Sequence, residues 1–339
     1  VTTTSTLTRR NLDSLAIGPT TLRWHQIPTG HDGGTGWLHS GIAISPTGEL
    51  LVAHPEGRDL LKVGTDGTTR VQTPLTELHC ITSAIADDGV PIVWVADNGH
   101  RFVCGTPSYD EITAPGRIVA LTLDGAVVRE LTAPSAPGPW SPTSVTPTDP
   151  SDPRSDIWVA DGYGQSLVHR YTADGALELT IDGTESGTAF DCPYGILVRT
   201  HGTTTELYVA DRANRRIVVF GLDGTYLRTI GVGALDSPSS MTDYAGNLVV
   251  TELFGALAIF EGDVYTGHIG SAGRDHSAAA WPNEIDANTG NTVAPRLSEG
   301  VFNSPHGIVV GNGALYLTEW MIGGRIVQLA PTEGVQKGC

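Results

Sequence analysis

The sequence predicts an all-β protein, a six-bladed β-propeller of four-stranded blades closed by an N-terminal strand. Three observations lead there. Six short strands end alike: "ELLVAH" (49–54), "VWVAD" (93–97), "IWVAD" (157–161), "LYVAD" (207–211), "LVVTE" (248–252) and "LYLTE" (315–319). A shorter apolar strand precedes each, and a third strand with an Asp-Gly turn follows most, as in "RRIVVFGLDG" (215–224). Glycine is abundant at 42 residues, charged residues make up only 17%, and Thr, Val and Ile crowd into short runs, a composition suited to strands and tight turns. Four strands per ~40–50 residues is the period of a propeller blade.

Taken in order, residues 1–19 read as an N-terminal arm and residues 20–339 as one propeller domain. "TTLRWHQIP" (20–28) is a strand without a blade of its own. The blades then open on "SGIAIS", "CITSAI", "TSVTPT", "YGILV", "SSMTD" and "HGIVV", and fourth strands follow in "GALELTIDG" (175–183) and "GTYLRTIG" (224–231). The last repeat runs out after its third strand, "GRIVQLAPTEG" (324–334). Residues 20–28 are therefore expected to supply the outermost strand of blade six, closing the ring and hiding its edges. Two long insertions, 98–116 and 263–301, fall at the end where the innermost strands begin, and read as lids or as surface decoration. The turn "PTDPSDPRSD" (147–156) is expected at the opposite end.

The formal charge is −17, from 20 basic and 37 acidic residues. Such a field repels phosphate backbones and anionic lipid heads, which argues against nucleic acid and membrane partners. No apolar run approaches the roughly 20 residues of a membrane helix. The start "VTTTSTLTRRN" lacks an apolar secretory segment, although a processed precursor would look the same, so the compartment stays open. The expected partner is a small-molecule or peptide substrate, and the chain is expected to be a monomer. Cys80, Cys104, Cys192 and Cys339 lack metal-type spacing and read as buried free thiols, with one disulfide within the segment holding Cys80 and Cys104 as the alternative.

One position per blade carries the chemical signal. The residues ahead of the glycine position in the innermost strands are Ser40, His79, Thr143, Tyr194, Ser239 and His306. Blades one, three and five place small hydroxyls there, while blades two, four and six place His, Tyr and His. Alternate blades stand about 120° apart around the axis. Three side chains so placed could cap one face of a metal ion and leave the other open, as catalytic zinc sites require. The plain alternative is a set of hydrogen-bonded residues lining a channel. Asp97, Asp161 and Asp211 recur with the repeat and are expected to bond turn amides. His54, Glu252 and Glu319 depart from that pattern and are the stronger site candidates.

The unit "CPYGILV…LYVADRANRRIVVFGLDG" (192–224) resembles the NHL repeat, and the likeness runs through nearly the whole chain. NHL rings serve as scaffolds, RNA binders and enzymes, so the likeness speaks to fold. Around the mouth the sequence resembles the peptidyl-α-hydroxyglycine α-amidating lyase family, six-bladed enzymes that cleave a carbinolamide into an amide and an aldehyde. "SPHGIVV" matches the last of that family's three zinc-binding strand entrances at His306, and "LHCIT" approximates the first at His79. The middle one falls on "CPYGILV", where Tyr194 stands in place of histidine. "ADGYGQS" (160–166) matches the segment of the catalytic tyrosine at Tyr163. In "AHPEGRD" (53–59) His54 matches, but Pro55 holds the place of the catalytic arginine, and Arg58 would have to substitute. The aspartate associated with calcium in the family is Gly307 here.

The resemblance implies a divalent metal, zinc before calcium, held by His79, His306 and Tyr194. Tyr163 would take the substrate hydroxyl proton, its pKa lowered by the metal or a neighbouring cation. Arg58, Arg101 or Arg212 would grip a substrate carboxylate, with Tyr194 and Glu252 as further substrate contacts. A second class of reading is elimination or ester and lactone opening, as in the streptogramin lyases, with Glu252 or Glu319 as base. A third is a non-enzymatic NHL ring that binds protein.

Overall fold

Runs such as "IWVAD" become strands because β-branched and aromatic residues fit a pleated surface, and they bury both faces because each blade is sandwiched between two others. Ile157–Asp161 is buried at every position. The structure is a computed structural model and describes residues 15–28, 34–64, 66–135, 138–271 and 276–332. Residues 1–14 of the expected arm, 272–275 of the second insertion, and Cys339 lie outside the described residues.

Six antiparallel sheets make the ring. Blade one is Ile42–Ile44, Leu50–Ala53, Asp59–Gly64 and Gly67–Gln72; blade two is Cys80–Ile85, Pro91–Asp97, Arg117–Thr122 and Val127–Leu131. Blade three is Ser144–Pro147, Ile157–Asp161, Leu167–Tyr171 and Leu177–Ile181; blade four is Pro193–His201, Thr204–Asp211, Arg216–Gly221 and Tyr226–Ile230. Blade five is Pro238–Tyr244, Asn247–Glu252, Ala256–Glu261 and Val264–Ile269, and blade six begins with Pro305–Gly311, Ala314–Glu319 and Arg325–Pro331. The first strands of successive blades pack side by side and line the centre.

Ring closure follows the sequence expectation. Thr20–Gln26 pairs antiparallel with Arg325–Pro331, Leu22 opposite Pro331 and Gln26 opposite Val327. The boundary of the arm does not: Leu15–Ile17 adds a fifth strand outside Thr20–Gln26, so part of the 1–19 segment belongs to blade six. Leu15, Ile17 and Leu22 bury apolar side chains there, which is what recruits the extra strand.

The glycines behind the mouth residues have a steric cause. A Cβ on Gly307 would lie 2.1 Å from the Ser40 carbonyl oxygen, and one on Gly195 equally close to that of Ser239. Neighbouring first strands approach so closely there that a side chain has no room.

Both insertions carry structure of their own. Residues 98–116 hold a hairpin, His100–Cys104 with Tyr109–Thr113, and the second insertion holds a two-residue ladder, Glu284–Ile285 with Thr292–Val293. They touch, Thr292 N–H donating to the Pro107 carbonyl at 3.0 Å. Cys80, Cys104 and Cys192 are free thiols, so no Cys80–Cys104 disulfide forms. Cys104 is exposed on the hairpin, against the expectation of burial, because its strand covers the rim rather than the core.

The closing strand is anchored by Trp24, which packs on Phe302 at 4.8 Å between ring centroids and lies 5.0 Å from the Arg325 guanidinium. Truncating a buried Trp costs about 3–5 kcal/mol. Trp24→Ala is expected to lower the urea midpoint accordingly, with wild-type stability as the contrary result.

Candidate active site

In blades two to six the second strand ends in an acceptor that catches backbone amides leading into that blade's first strand. Asp97 accepts from Thr76 and Glu77 N–H at 2.8 and 3.1 Å, Asp161 from Ser141 N–H at 2.8 Å, and Asp211 from Asp191 N–H at 2.8 Å. Glu252 accepts from Asp236 and Ser237 N–H at 3.0 and 2.6 Å, and Glu319 from Asn303 and Ser304 N–H at 2.6 and 3.1 Å. These clamps hold the strand entrance two or three residues upstream of the mouth position. Ser40, His79, Thr143, Tyr194, Ser239 and His306 are all buried and meet at one level of the channel.

The centre of that level is a directed chain of hydrogen bonds. The Tyr194 hydroxyl lies 2.8 Å from His79 Nε2 and 2.7 Å from His306 Nε2. His79 Nδ1 lies 2.9 Å from the Thr143 carbonyl, which can only accept, so Nδ1 carries the proton. His79 Nε2 is then a lone pair and Tyr194 donates to it. Tyr194 oxygen in turn accepts from His306 Nε2–H, which leaves His306 Nδ1 as a buried lone pair with no partner. Burial, then the nearby His39, holds His79 well below the usual imidazole range. Burial, then Arg212, does the same for His306. Burial pushes the Tyr194 phenol well above its ordinary value. Both imidazoles are neutral and the phenol keeps its proton.

The implied metal does not fit this arrangement. Ligand atoms on a tetrahedral zinc, with bonds of ~2.0–2.1 Å, stand about 3.3 Å apart. The phenol oxygen and the two imidazole nitrogens are at hydrogen-bonding separation, and the phenol resists the ionisation that ligation needs. Among the described residues no group of three or more His, Cys, Asp or Glu is placed to hold an ion.

A third histidine completes the mouth, and the sequence reading missed it. His39 Nδ1 lies 2.8 Å from Glu77 Oε1, with both residues buried. Its ring centroid is 4.9 Å from His79 and 6.1 Å from His306, and it stacks on Trp320 at 6.1 Å. Burial raises the Glu77 carboxyl, and His39 pulls it back down. Around this dyad the insertions raise an aromatic wall. Trp37 lies 4.6 Å from Phe102 and 5.0 Å from Trp320, and Trp281 lies 6.0 Å from Trp320.

The other candidates divide. Arg212 stands in the mouth: its guanidinium carbon is 3.4 Å from the Tyr194 ring centroid, Nη2 donates to Ser239 Oγ at 2.9 Å, and Nη1 lies 3.5 Å from Tyr163 Oη. Tyr163, a partly exposed side chain, lies 5.4 Å from the His79 ring, and desolvation in the mouth raises its phenol pKa against the pull of Arg212, the reverse of the expected lowering. Arg101 donates to the Glu56 carbonyl at 2.7 Å beside the Glu77 side of the mouth. Arg58 is exposed and outside the cluster, the one residue of an otherwise largely buried turn whose side chain reaches solvent. His54 caps its own turn, Nδ1 accepting from Glu56 N–H at 3.0 Å. Glu319 is locked by Arg325 and two amides, so it clamps the blade instead of facing substrate. Glu252 holds the same clamp position.

No protein-family sequence model matches the chain, so the NHL and amidating lyase resemblances have no support there. No curated protein sequence matches either. Solved structures do. Virginiamycin B lyase from Staphylococcus aureus superposes with a TM-score of 0.53 at 16% identity, over 92% of this chain and 100% of that one. A catalytically inactive histidine-to-alanine variant of virginiamycin B lyase from Staphylococcus aureus with quinupristin gives 0.52 at 16% identity, over the same shares. A streptogramin B lyase structure gives 0.50 at 14% identity, over 92% and 98%. At this identity the likeness shows the fold, a six-bladed propeller.

Glu252, like Asp161 opposite Leu167, has no arginine across the sheet. Arg216 and Arg325 stand opposite Asp211 and Glu319 across the sheet, but Ala256 stands opposite Glu252. Oε1 of Glu252 is buried without a partner, and burial pushes the carboxyl up to about 7. A carboxyl raised in the folded state is protonated there while the unfolded chain has lost its proton. This contribution therefore stabilises at low pH and fades as pH rises through 7. Glu252→Gln is expected to be more stable than wild type at pH 8, by roughly 1–3 kcal/mol, and to flatten the stability profile between pH 5 and 8. Parallel denaturation profiles for the two proteins would contradict this.

Proposed function

We propose that this protein is a lyase that breaks a C–O or C–N bond by acid–base elimination in the mouth of the propeller. The observation that carries the reading is the His39–Glu77 dyad, a buried imidazole oriented by a buried carboxylate among neutral histidines. With Nδ1–H directed at Glu77, His39 offers Nε2 as a lone pair, the arrangement of a general base. That base removes a proton from carbon, the electron pair forms a C=C bond, and the C–O or C–N bond on the adjacent carbon breaks. The leaving atom departs with its pair and takes a proton from a donor in the mouth or from water. Tyr163, kept protonated, and Arg212 face the developing negative charge. The rigid His79–Tyr194–His306 chain forms the floor. Support in kind comes from the neighbours, which are lyases, one of them inactivated by replacing a histidine. Glu252 and Glu319 are replaced in the role of base by His39.

Carbinolamide cleavage, with a divalent metal at His79 and His306, is the second reading. What favours it is that Tyr163, His79 and His306 come together as the amidating lyase pattern requires. It would need the Tyr194 hydroxyl to leave its place between the imidazoles, and we route no step through an ion.

The two readings give different products. Incubation with lactones and esters bearing an acidic carbon hydrogen is expected to give α,β-unsaturated products, whereas α-hydroxyglycine amides would release an aldehyde. His39→Gln and Glu77→Gln are each expected to lower kcat by at least about 100-fold while leaving the circular dichroism unchanged. Aldehyde release together with one zinc per chain by elemental analysis would overturn the leading reading in favour of the second.

A further inference from the structure

The Pro/Asp-rich turn of blade three takes no part in the mouth, yet it is a built structure. Residues 148–156 join Ser144–Pro147 to Ile157–Asp161 at the opposite end of the ring, where the corresponding turns of blades four, five and six are the pairs 202–203, 245–246 and 312–313. The long turn bonds to itself. Asp149 Oδ1 accepts from Ser151 N–H at 2.9 Å, Asp152 Oδ1 from Arg154 N–H at 2.9 Å, and the Asp149 carbonyl from the Ser155 hydroxyl at 2.9 Å. It also leans onto blade two, where the Pro150 carbonyl accepts from Ile85 N–H at 3.1 Å.

Beside that contact, blades two and three part around a cavity of about 370 Å³, within the ~300–1,000 Å³ of small-molecule sites. The opening has a cause in the sequence. Ala120 stands opposite Trp94, at the register where the other blades carry Lys62, Arg170, Val219, Ile259 and Gln328. Ala84 is small as well, so Ile92, Trp94 and Ile157 form an apolar wall with room in front of it.

Charge at this cavity is one-sided. Asp87 and Asp88 come to it from the turn of blade two, and Asp152 from the turn of blade three. The ion pairs nearby join Arg117 to Glu130, and Arg170 to Asp156 and Glu178, so among the described residues none of the three has a cationic partner. The basic side chain that lines the cavity, Arg129, donates to the Ala173 carbonyl and lies 5.5 Å from the Trp94 ring centroid. Three carboxylates face one guanidinium, and negative charge is left over.

We propose that this crevice is a second binding site, for a small organic cation that carries a protonated amine on a flat apolar body. The body lies against Ile92, Trp94 and Ile157, and the ammonium faces Asp87, Asp88 and Asp152. An anion of the same shape is repelled by those carboxylates, and a neutral one forgoes their attraction. Ile157–Asp161 runs from the cavity towards the mouth and rises about 3.3 Å per residue, so the two sites lie at opposite ends of the ring, on the order of 15 Å apart. The site does not depend on the lyase reading.

Phenethylamine, 2-phenylethanol and phenylacetate share one body and differ in charge. Each is titrated into the intact protein by calorimetry, near neutral pH and at constant ionic strength. Phenethylamine is expected to bind saturably at one site per chain and at least about 10-fold more tightly than 2-phenylethanol, with no saturable binding of phenylacetate. Ala120→Val gives blade two the side chain that blade four carries at Val219, and is expected to weaken phenethylamine at least about 10-fold by filling the cavity. Asp152→Asn, on an exposed turn, is expected to weaken phenethylamine about 3-fold or more while leaving 2-phenylethanol unchanged, and it decides the matter should Ala120→Val fail to fold. Equal affinity for the amine and the alcohol, preference for phenylacetate, or wild-type affinity in either folded variant would overturn the site. Loss of phenethylamine binding in His39→Gln would place the amine in the mouth and overturn it too.

Discussion

The clamp that in five of the six blades joins the end of the second strand to the amides that lead into the first strand governs this molecule. A carboxylate that accepts two N–H groups pins a strand entrance from both sides, and burial makes the loss of either bond expensive. Repeated around the ring in Asp97, Asp161, Asp211, Glu252 and Glu319, it sets one height at which six side chains enter the channel. The mouth is therefore a product of the scaffold. His79 and His306, 227 positions apart in the chain, share one phenol because their entrances are held level.

Much of this was legible in the sequence. The six strand endings announced the ring, and the orphan strand at 20–28 announced its closure. The alternation of His79, Tyr194 and His306 announced that these side chains face a common axis. What it left open was how Tyr194 would meet its neighbours. Two imidazoles and a phenol can surround an ion or can bond to one another, and only the separation of the donor atoms distinguishes these. His39 and Glu77 stayed hidden because one position per blade was read, whereas these two reach the mouth from one and two residues further upstream. Glu252 and Glu319 stood out by residue type, yet the longer side chain at the Asp position accepts from the same amides.

The two insertions supply what a bare ring lacks. A propeller mouth made only of strand entrances is small and polar, as the hydroxyls of Ser40, Thr143 and Ser239 show. Trp37, Phe102, Trp281 and Trp320 stand on or beside the inserted segments and add apolar surface above it. Thr292 bonded to Pro107 and Tyr109 bonded to Thr35 tie that rim together. Recognition is in this way separated from the floor, and the rim can vary without disturbing the clamps.

The pairing of Thr20–Gln26 with Arg325–Pro331 has a bearing on biosynthesis. The first of these segments finds its mate only when about 300 further residues have been made, at about 5–20 residues per second. For tens of seconds the nascent chain carries an unsatisfied ribbon while blades one to five assemble after it. Aggregation during translation, more than instability of the finished ring, is the hazard this topology creates, and a holdase that shields the unpaired strand would meet it.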